Sequence, residues 1–313
     1  QIVFGGNIQT DLGRYGFQSP WADSGVSMLI GGEYRQDTLV NQPDEISQQS
    51  DGGFTGVGGP SLPIEGEIRV HEVFTEGQIP LITGAPGIES LTLGGAYRFS
   101  DYSLEDQDGT VTNSFSTDTW HAFVNWVPVE SVRLRAQFQR AVRAPTVGAA
   151  FAPQGTNLPN LTVGPNGFFD PCAGPDPAAT LEQCMRTGVT AAQFGGIPDV
   201  ISGQTQSITG GNPELTAEES DTITLGVVLT PSAVPGLTIS ADYYDIEVSD
   251  AIQGGIAPAQ TILDECLATG DPIFCDAITR DVAGSLIAGT PGVGFDARNQ
   301  NVAAFNTSGI DFQ

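Results

Sequence analysis

The sequence predicts an all-β fold: an antiparallel transmembrane β-barrel, of which this chain carries about eight to nine strands. Three observations carry that expectation. First, short segments alternate apolar and polar residues. In Val132-Arg133-Leu134-Arg135-Ala136-Gln137-Phe138-Gln139 the even positions are apolar and the odd ones are charged or amide. A strand repeats its facing about every 2 residues, so such a segment is apolar on one side and polar on the other. Second, these segments have about the 9–11 residues that cross a bilayer as a tilted strand. Third, the connections between them alternate between short and long, the asymmetry of barrels with short turns on one side and long loops on the other. A compact soluble domain seldom carries long irregular loops.

The elements follow in order. Strand 1 is expected over about Val3 to Phe17, then a turn through Ser19-Pro20-Trp21-Ala22-Asp23-Ser24. Strand 2 covers about Val26 to Val40, with Val26, Met28, Ile30 and Tyr34 opposing Ser27, Glu33 and Arg35. A Gly/Pro/Asp-rich loop leads to strand 3, about Glu67 to Leu81. This is the least regular strand, with Glu72 and Glu76 inside it. Strand 4, about Ser90 to Tyr102, sets Leu91, Leu93, Tyr97 and Phe99 against Thr92, Arg98 and Ser100. After Asp106-Gln107-Asp108-Gly109, strand 5 covers about Ser114 to Val127 and strand 6 about Val132 to Val142. A long loop runs to about Thr216. Strand 7, about Ser220 to Thr230, and strand 8, about Leu237 to Val248, follow. A second long loop precedes a ninth strand near Val302. Leu29, Phe123 and Val228 are exceptions on the polar side.

Composition narrows the function. The chain has 313 residues, with 40 Gly and 21 Pro, and is rich in turns. It has no apolar run of about 18 residues, so a helical membrane span is excluded. The mean hydropathy of -0.04 does not argue against a barrel, which hides its apolar surface in alternation. All 11 basic residues are arginine, against 37 acidic residues, for a formal charge of -26. Nucleic-acid binding needs a basic footprint and is excluded as a reading. The acid gathers in Asp44 to Asp51, Asp101 to Asp108 and Glu214 to Asp221. It reads as a solvated, repulsive surface more readily than as a divalent-cation surface.

Four cysteines form two sequence-local pairs, Cys172 with Cys184 and Cys266 with Cys275, each inside a long loop. Zinc would ask for closer cysteine spacing or nearby histidine, and the only histidines are His71 and His121. Two loop-stapling disulfides are the better reading, and they imply an oxidising compartment or a cell surface. The first residues, Gln1-Ile2-Val3-Phe4, carry no targeting signal, and Gly309 to Gln313 end in mid-strand. The chain therefore reads as an internal fragment.

At four places the residues resemble one family. Arg140-Ala141-Val142-Arg143-Ala144-Pro145-Thr146 resembles the Arg-Ala-Pro-Thr segment of TonB-dependent outer-membrane receptors. Gly211-Asn212-Pro213-Glu214-Leu215-Thr216-Ala217-Glu218-Glu219-Ser220 resembles the same family's segment before a descending strand, with Ala217 in place of its usual proline. Ile239 to Ile246 looks like the next rising strand, and Asn306 to Asp311 resembles the segment after it. The paired cysteines, with Asp170-Pro171-Cys172, resemble the proteobacterial type. The resemblance implies a barrel of about 22 strands closed by a plug domain. It also implies import of a scarce small-molecule ligand, such as a siderophore, cobalamin or a carbohydrate, energised by the TonB complex through the plug. On that reading residues 1–313 are a partial barrel in outer-membrane lipid, lacking the plug and the terminal strands.

Site residues follow. Arg98, Arg133 and Arg135 lie on the polar face and are expected to face the lumen, because arginine on the lipid face costs about 2–4 kcal/mol. The competing reading is a solvated face of a soluble sheet. Trp120, Trp126, Tyr97, Tyr102, Phe99 and Tyr243 are expected in interfacial aromatic girdles. Pro145 ends strand pairing, so Arg143-Ala144-Pro145 is read as structural. Phe151, Asn166, Phe168 and Phe169 are possible ligand contacts, against the plainer reading of a packed loop core. Asp106 to Gly109 reads as a hairpin tip, Gly56-Val57-Gly58-Gly59 is not a phosphate loop, and Asn160-Leu161-Thr162 is a sequon by spelling only. No metal site, cofactor or catalytic constellation is expected, so the chain reads as a transporter and not an enzyme. The alternative is a soluble extracellular β-rich carbohydrate-binding or adhesin module; a passive porin is the third reading.

Overall fold

A computed structural model describes residues 1–49 and 60–313 of the chain. The long strands are β1 (Ile2–Asp11), β2 (Ser27–Asn41), β3 (Ile64–Ala85), β4 (Ile88–Asp106), β5 (Val111–Val129) and β6 (Val132–Arg143). Three short strands follow or interleave: β7 (Gly155–Asn157), β8 (Ser207–Gly210) and β11 (Ile278–Thr279). The long series continues with β9 (Glu218–Leu229), β10 (Ile239–Gly254) and β12 (Gly294–Phe312). The helices are short: α1 (Val147–Phe151), α2 (Leu181–Arg186), α3 (Ala259–Thr269) and α4 (Pro272–Cys275). Among the described residues no helix is long and apolar enough to cross a membrane.

The long strands pair in the order β1-β2-β3-β4-β5-β6-β9-β10-β12, each antiparallel to its neighbour. The sheet is open, with β1 at one edge. At the other, β8 adds to β12 in parallel and β7 pairs with β8. The register shows that the alternation is shared across strands. Leu93, Val124, Ala136, Leu225, Tyr243 and Ile310 form one continuous row. The row beside it, Gly94, Phe123, Gln137, Thr224, Tyr244 and Gly309, belongs to the other face. One face is therefore apolar along this row from β4 to β12, and it is open to its surroundings: Leu225 is 51% and Ile310 58% exposed. A face of this extent needs an apolar partner.

The inward-facing aromatics that break the pattern have a steric cause. Phe123 lies over Gly94 and Phe74 over Gly31, close enough that a Cβ on either glycine would collide with the ring. Glycine in a strand leaves a bare patch of backbone, and an aromatic side chain on the next strand covers it.

Several boundaries differ from those read in the sequence. Strand 1 ends at Asp11, because the Asp11 carboxylate accepts from the Gly13 N–H (2.8 Å) and starts a 3-10 turn, Leu12–Tyr15. That turn closes at Gly16 in the left-handed region (φ 88°). The short–long rule holds less strictly than expected. β4 and β5 run past their expected ends and meet across residues 107–110 only. β12 begins at Gly294, because a run of polar residues, Arg298-Asn299-Gln300-Asn301, pairs as strand without alternating. The irregularity of β3 is an inversion of phase. Towards the β4–β5 tip, Ile68 and Val70 occupy the face that carries Glu72 and Glu76 lower down. There they bury against Tyr102, Leu104, Val147 and Ala150. The Gly56-Val57-Gly58-Gly59 stretch and Asp51 lie outside the described residues.

The facing of the strands predicts two classes of variant. In the assembled protein, Ala136→Arg and Leu225→Arg should lower folded, heat-modifiable protein in outer-membrane fractions, by about 2–4 kcal/mol of stability each. Gln137→Arg and Thr224→Arg, on the adjacent row, should accumulate like the parent. Equal accumulation of all four, or the reverse order, would show that the faces are assigned wrongly.

A charged wall and a stapled cap

The polar face carries ion pairs that run between strands. Arg98 on β4 donates to Glu72 on β3 (3.1 Å), and Ser100 adds a second hydrogen bond (2.6 Å). Glu72 is thereby satisfied although buried. Arg98 also lies over the Phe74 ring, 4.8 Å from its centre. Arg135 on β6 reaches across β9 to Asp242 on β10 with two parallel hydrogen bonds of 2.8 and 2.6 Å. The residue between them is Gly226. A Cβ there would run into both Asp242 Oδ1 and Arg135 Nε, so the bidentate pair needs a bare backbone beneath it. Arg133 lies on the same face opposite Val228 and is exposed, and no ion pair joins it among the described residues.

The outer aromatics occupy the apolar face. Tyr97, Phe99, Trp120, Trp126 and Tyr243 are 37–46% exposed there. Trp126 donates from its ring N–H to the Gly87 carbonyl in the β3–β4 turn (3.3 Å), and Tyr97 donates to Asp118. Tyr102 does not join them. It sits on the opposite face, 4% exposed and stacked on Phe115 (4.9 Å between ring centres), because of the phase inversion above.

Beyond the strands, residues 144–217 and 255–293 pack together. Cys172 bonds Cys184 and Cys266 bonds Cys275. Both bridges lie in one apolar cluster, with Leu161, Ile197 and Val200 from the first segment and Ile262, Leu263 and Leu286 from the second. Phe295, at the start of β12, closes its base. The helices are set by local chemistry. Thr180 and Gln183 form a reciprocal capping box at α2, Asp271 caps α4, and Gly270 ends α3 in the left-handed region.

The residues read as possible ligand contacts are all half-buried in this assembly. Phe151 ends α1 and presses on Gly66 beside Leu39. Phe168 covers Gly174, and Phe169 covers Gly203 and packs against the apolar cluster. Asn166 accepts from the Phe168 N–H (3.2 Å) and donates to the Asp176 carbonyl (3.4 Å).

The recognisable segments hold the root of this assembly. Arg143 pairs with Glu218 across β6 and β9, and Glu218 also accepts from the Ile252 N–H (2.7 Å). Gly210 and Gly211 press on the 150–154 backbone too closely for any Cβ. The Asn212 N–H donates to Ala149 O (3.1 Å), and the Asn212 amide donates to Asn299 O (3.0 Å). The Asn299 amide returns a bond to Ala149 O (3.0 Å). Leu215 is fully buried beside them. Sequence reasoning missed Asp170, Arg280 and Gly226; the Asp170-Pro171-Cys172 run pointed only to the first.

A sequence model of the family described as TonB dependent receptor-like, beta-barrel, matches residues 3–312. The chain belongs to that family, which is an outer-membrane family. A comparison with curated protein sequences returns no match. Among solved structures, the ferric enterobactin receptor PfeA of Pseudomonas aeruginosa, bound to enterobactin, aligns at TM-score 0.54 and 15% identity. The alignment covers 99% of this chain and 32% of that one. The siderophore receptor PirA of Acinetobacter baumannii aligns at TM-score 0.52 and 13% identity, over 99% of this chain and 33% of that one. These likenesses show the fold. The chain spans about a third of the length of those receptors. Neither the family match nor these structures point to a soluble module or an enzyme.

The Arg135–Asp242 geometry predicts that Gly226→Ala destabilises the barrel by about 1–3 kcal/mol through overpacking. Removing the carboxylate arm with Asp242→Ala in the same chain should recover part of that loss. Urea unfolding of the reconstituted protein measures both. A Gly226→Ala variant as stable as the parent would contradict the geometry.

Proposed function

We propose that this chain is the middle of the barrel of a TonB-dependent outer-membrane importer. The observation that carries the reading is the exposed apolar band that runs from β4 to β12 through Leu93, Ala136, Leu225 and Ile310, with the Arg98–Glu72 and Arg135–Asp242 pairs on the opposite face. Lipid is the partner that suits the first face, and a plug-filled, wet lumen suits the second. Arg98, Arg133 and Arg135 then line the lumen. The two disulfides stand on the external side, in keeping with an oxidising surface.

The plug, absent from residues 1–313, would carry the contact with the TonB complex. The transported ligand is a small molecule that cells find scarce, of the siderophore, cobalamin or carbohydrate class. The structural likeness to siderophore receptors favours the first class. Half-buried Phe151, Asn166, Phe168 and Phe169 would then act by shaping the external surface, with direct ligand contact limited to the edges they leave open.

The test compares cells that carry or lack the receptor gene, each with TonB intact or deleted. Each strain is grown on ferric siderophores, cobalamin or oligosaccharides as sole source of iron, cofactor or carbon. Growth on one panel should need both receptor and TonB. Growth that needs the receptor but not TonB would instead indicate a passive pore. Growth indifferent to the receptor on all panels would remove the import reading.

A further inference from the structure

We propose that residues 144–217 and 255–293 form one cooperative folding unit, a single cap, and not two independently stapled loops. The inference goes beyond the import reading and does not depend on it. Neither segment owns a core. Cys172 and Cys184 from the first are buried in the same cluster as Leu263 and Cys266 from the second. The helices are too short to stand alone: α3, the longest, has 11 residues, and isolated helices below about 12–15 residues are marginal in water.

A buried ion pair joins the halves. Asp170 of the first segment and Arg280 of the second are 0% and 2% exposed, with Nη1 2.5 Å from Oδ2. Arg280 also donates from Nη2 to Asp170 Oδ1 (3.2 Å), from Nε to Thr187 Oγ1 (2.9 Å) and from Nη1 to the Gly284 carbonyl (2.8 Å). A pair buried this deeply leaves an uncompensated charge in either half if the other half departs. Further bonds cross the seam: Arg186 to Leu267 O (3.0 Å), Thr205 Oγ1 to Leu286 O (2.7 Å) and Ser285 Oγ to Pro198 O (2.9 Å).

The unit is fastened to the strands at its two ends and, between them, by Asn212 to Asn299 O (3.0 Å). At one end, α1 wedges against Ile68, Val70 and Leu104 of β3 and β4. At the other, β8 pairs in parallel with the outer end of β12.

The test is hydrogen exchange on the whole receptor in outer-membrane vesicles, comparing the parent with Cys266→Ser/Cys275→Ser. Amides of 181–194 should exchange about ten-fold faster, alongside those of 259–269, while β5 and β6 stay unchanged and mark an intact barrel. Faster exchange confined to 255–293 would overturn the proposal. If the double variant does not assemble, Leu263→Ala, which removes only a buried isopropyl group, is read by the same two outcomes.

Discussion

Everything in this structure depends on the two-sidedness of its strands. A strand surrounded by hydrocarbon must pair all its backbone groups within the sheet, and its side chains on that side must be apolar. The period of the strand then gives the residues between them to the other side, where polar side chains can gather. Each one-residue slip would exchange the faces, so the register is specified strongly. The rows through Ala136 and Gln137 are the direct result: one residue apart in sequence, they belong to different surroundings across six strands.

The polar face solves a second problem. Charges gathered on one side of a sheet need partners, and the partners here sit on neighbouring or next-neighbouring strands. Glu72 is paired with Arg98 and hydrogen-bonded by Ser100, and Asp242 is paired with Arg135. The glycine at 226 exists for the second of these: it lets the guanidinium pass over β9 to reach β10. Towards the β4–β5 tip the demand reverses. Polar residues such as Glu67 and Arg69 move to the outer face, and apolar ones turn inward under α1.

That reversal marks the limit of what alternation reveals. The strands with clean alternation, β4, β5, β6, β9 and β10, were legible from residues alone, as were the local cysteine pairs, 12 and 9 residues apart. Tyr102 was misread as an outer aromatic because the facing changes above Arg98, where α1 covers the sheet. The start of β12 was missed because its polar residues pair without alternating. The shared core of the cap was illegible for another reason. Asp170 and Arg280 are 110 residues apart, and no local pattern marks two distant loops as partners. The Arg-Ala-Pro and Gly-Gly-Asn-Pro segments were visible as motifs, but their work in fastening β6, α1 and β9 became clear only from the bonds of Glu218, Asn212 and Asn299.

Single spin labels at each position from 132 to 139, in the receptor reconstituted in lipid, test the two-faced wall most directly. Collision rates with oxygen, which concentrates in hydrocarbon, and with a water-soluble nickel chelate should vary in antiphase, repeating about every 2 residues. Oxygen access should peak at Leu134, Ala136 and Phe138, and nickel access at Arg133, Arg135 and Gln137. Uniform access along the segment, or the opposite phase, would contradict the assignment of one face to lipid and the other to the lumen.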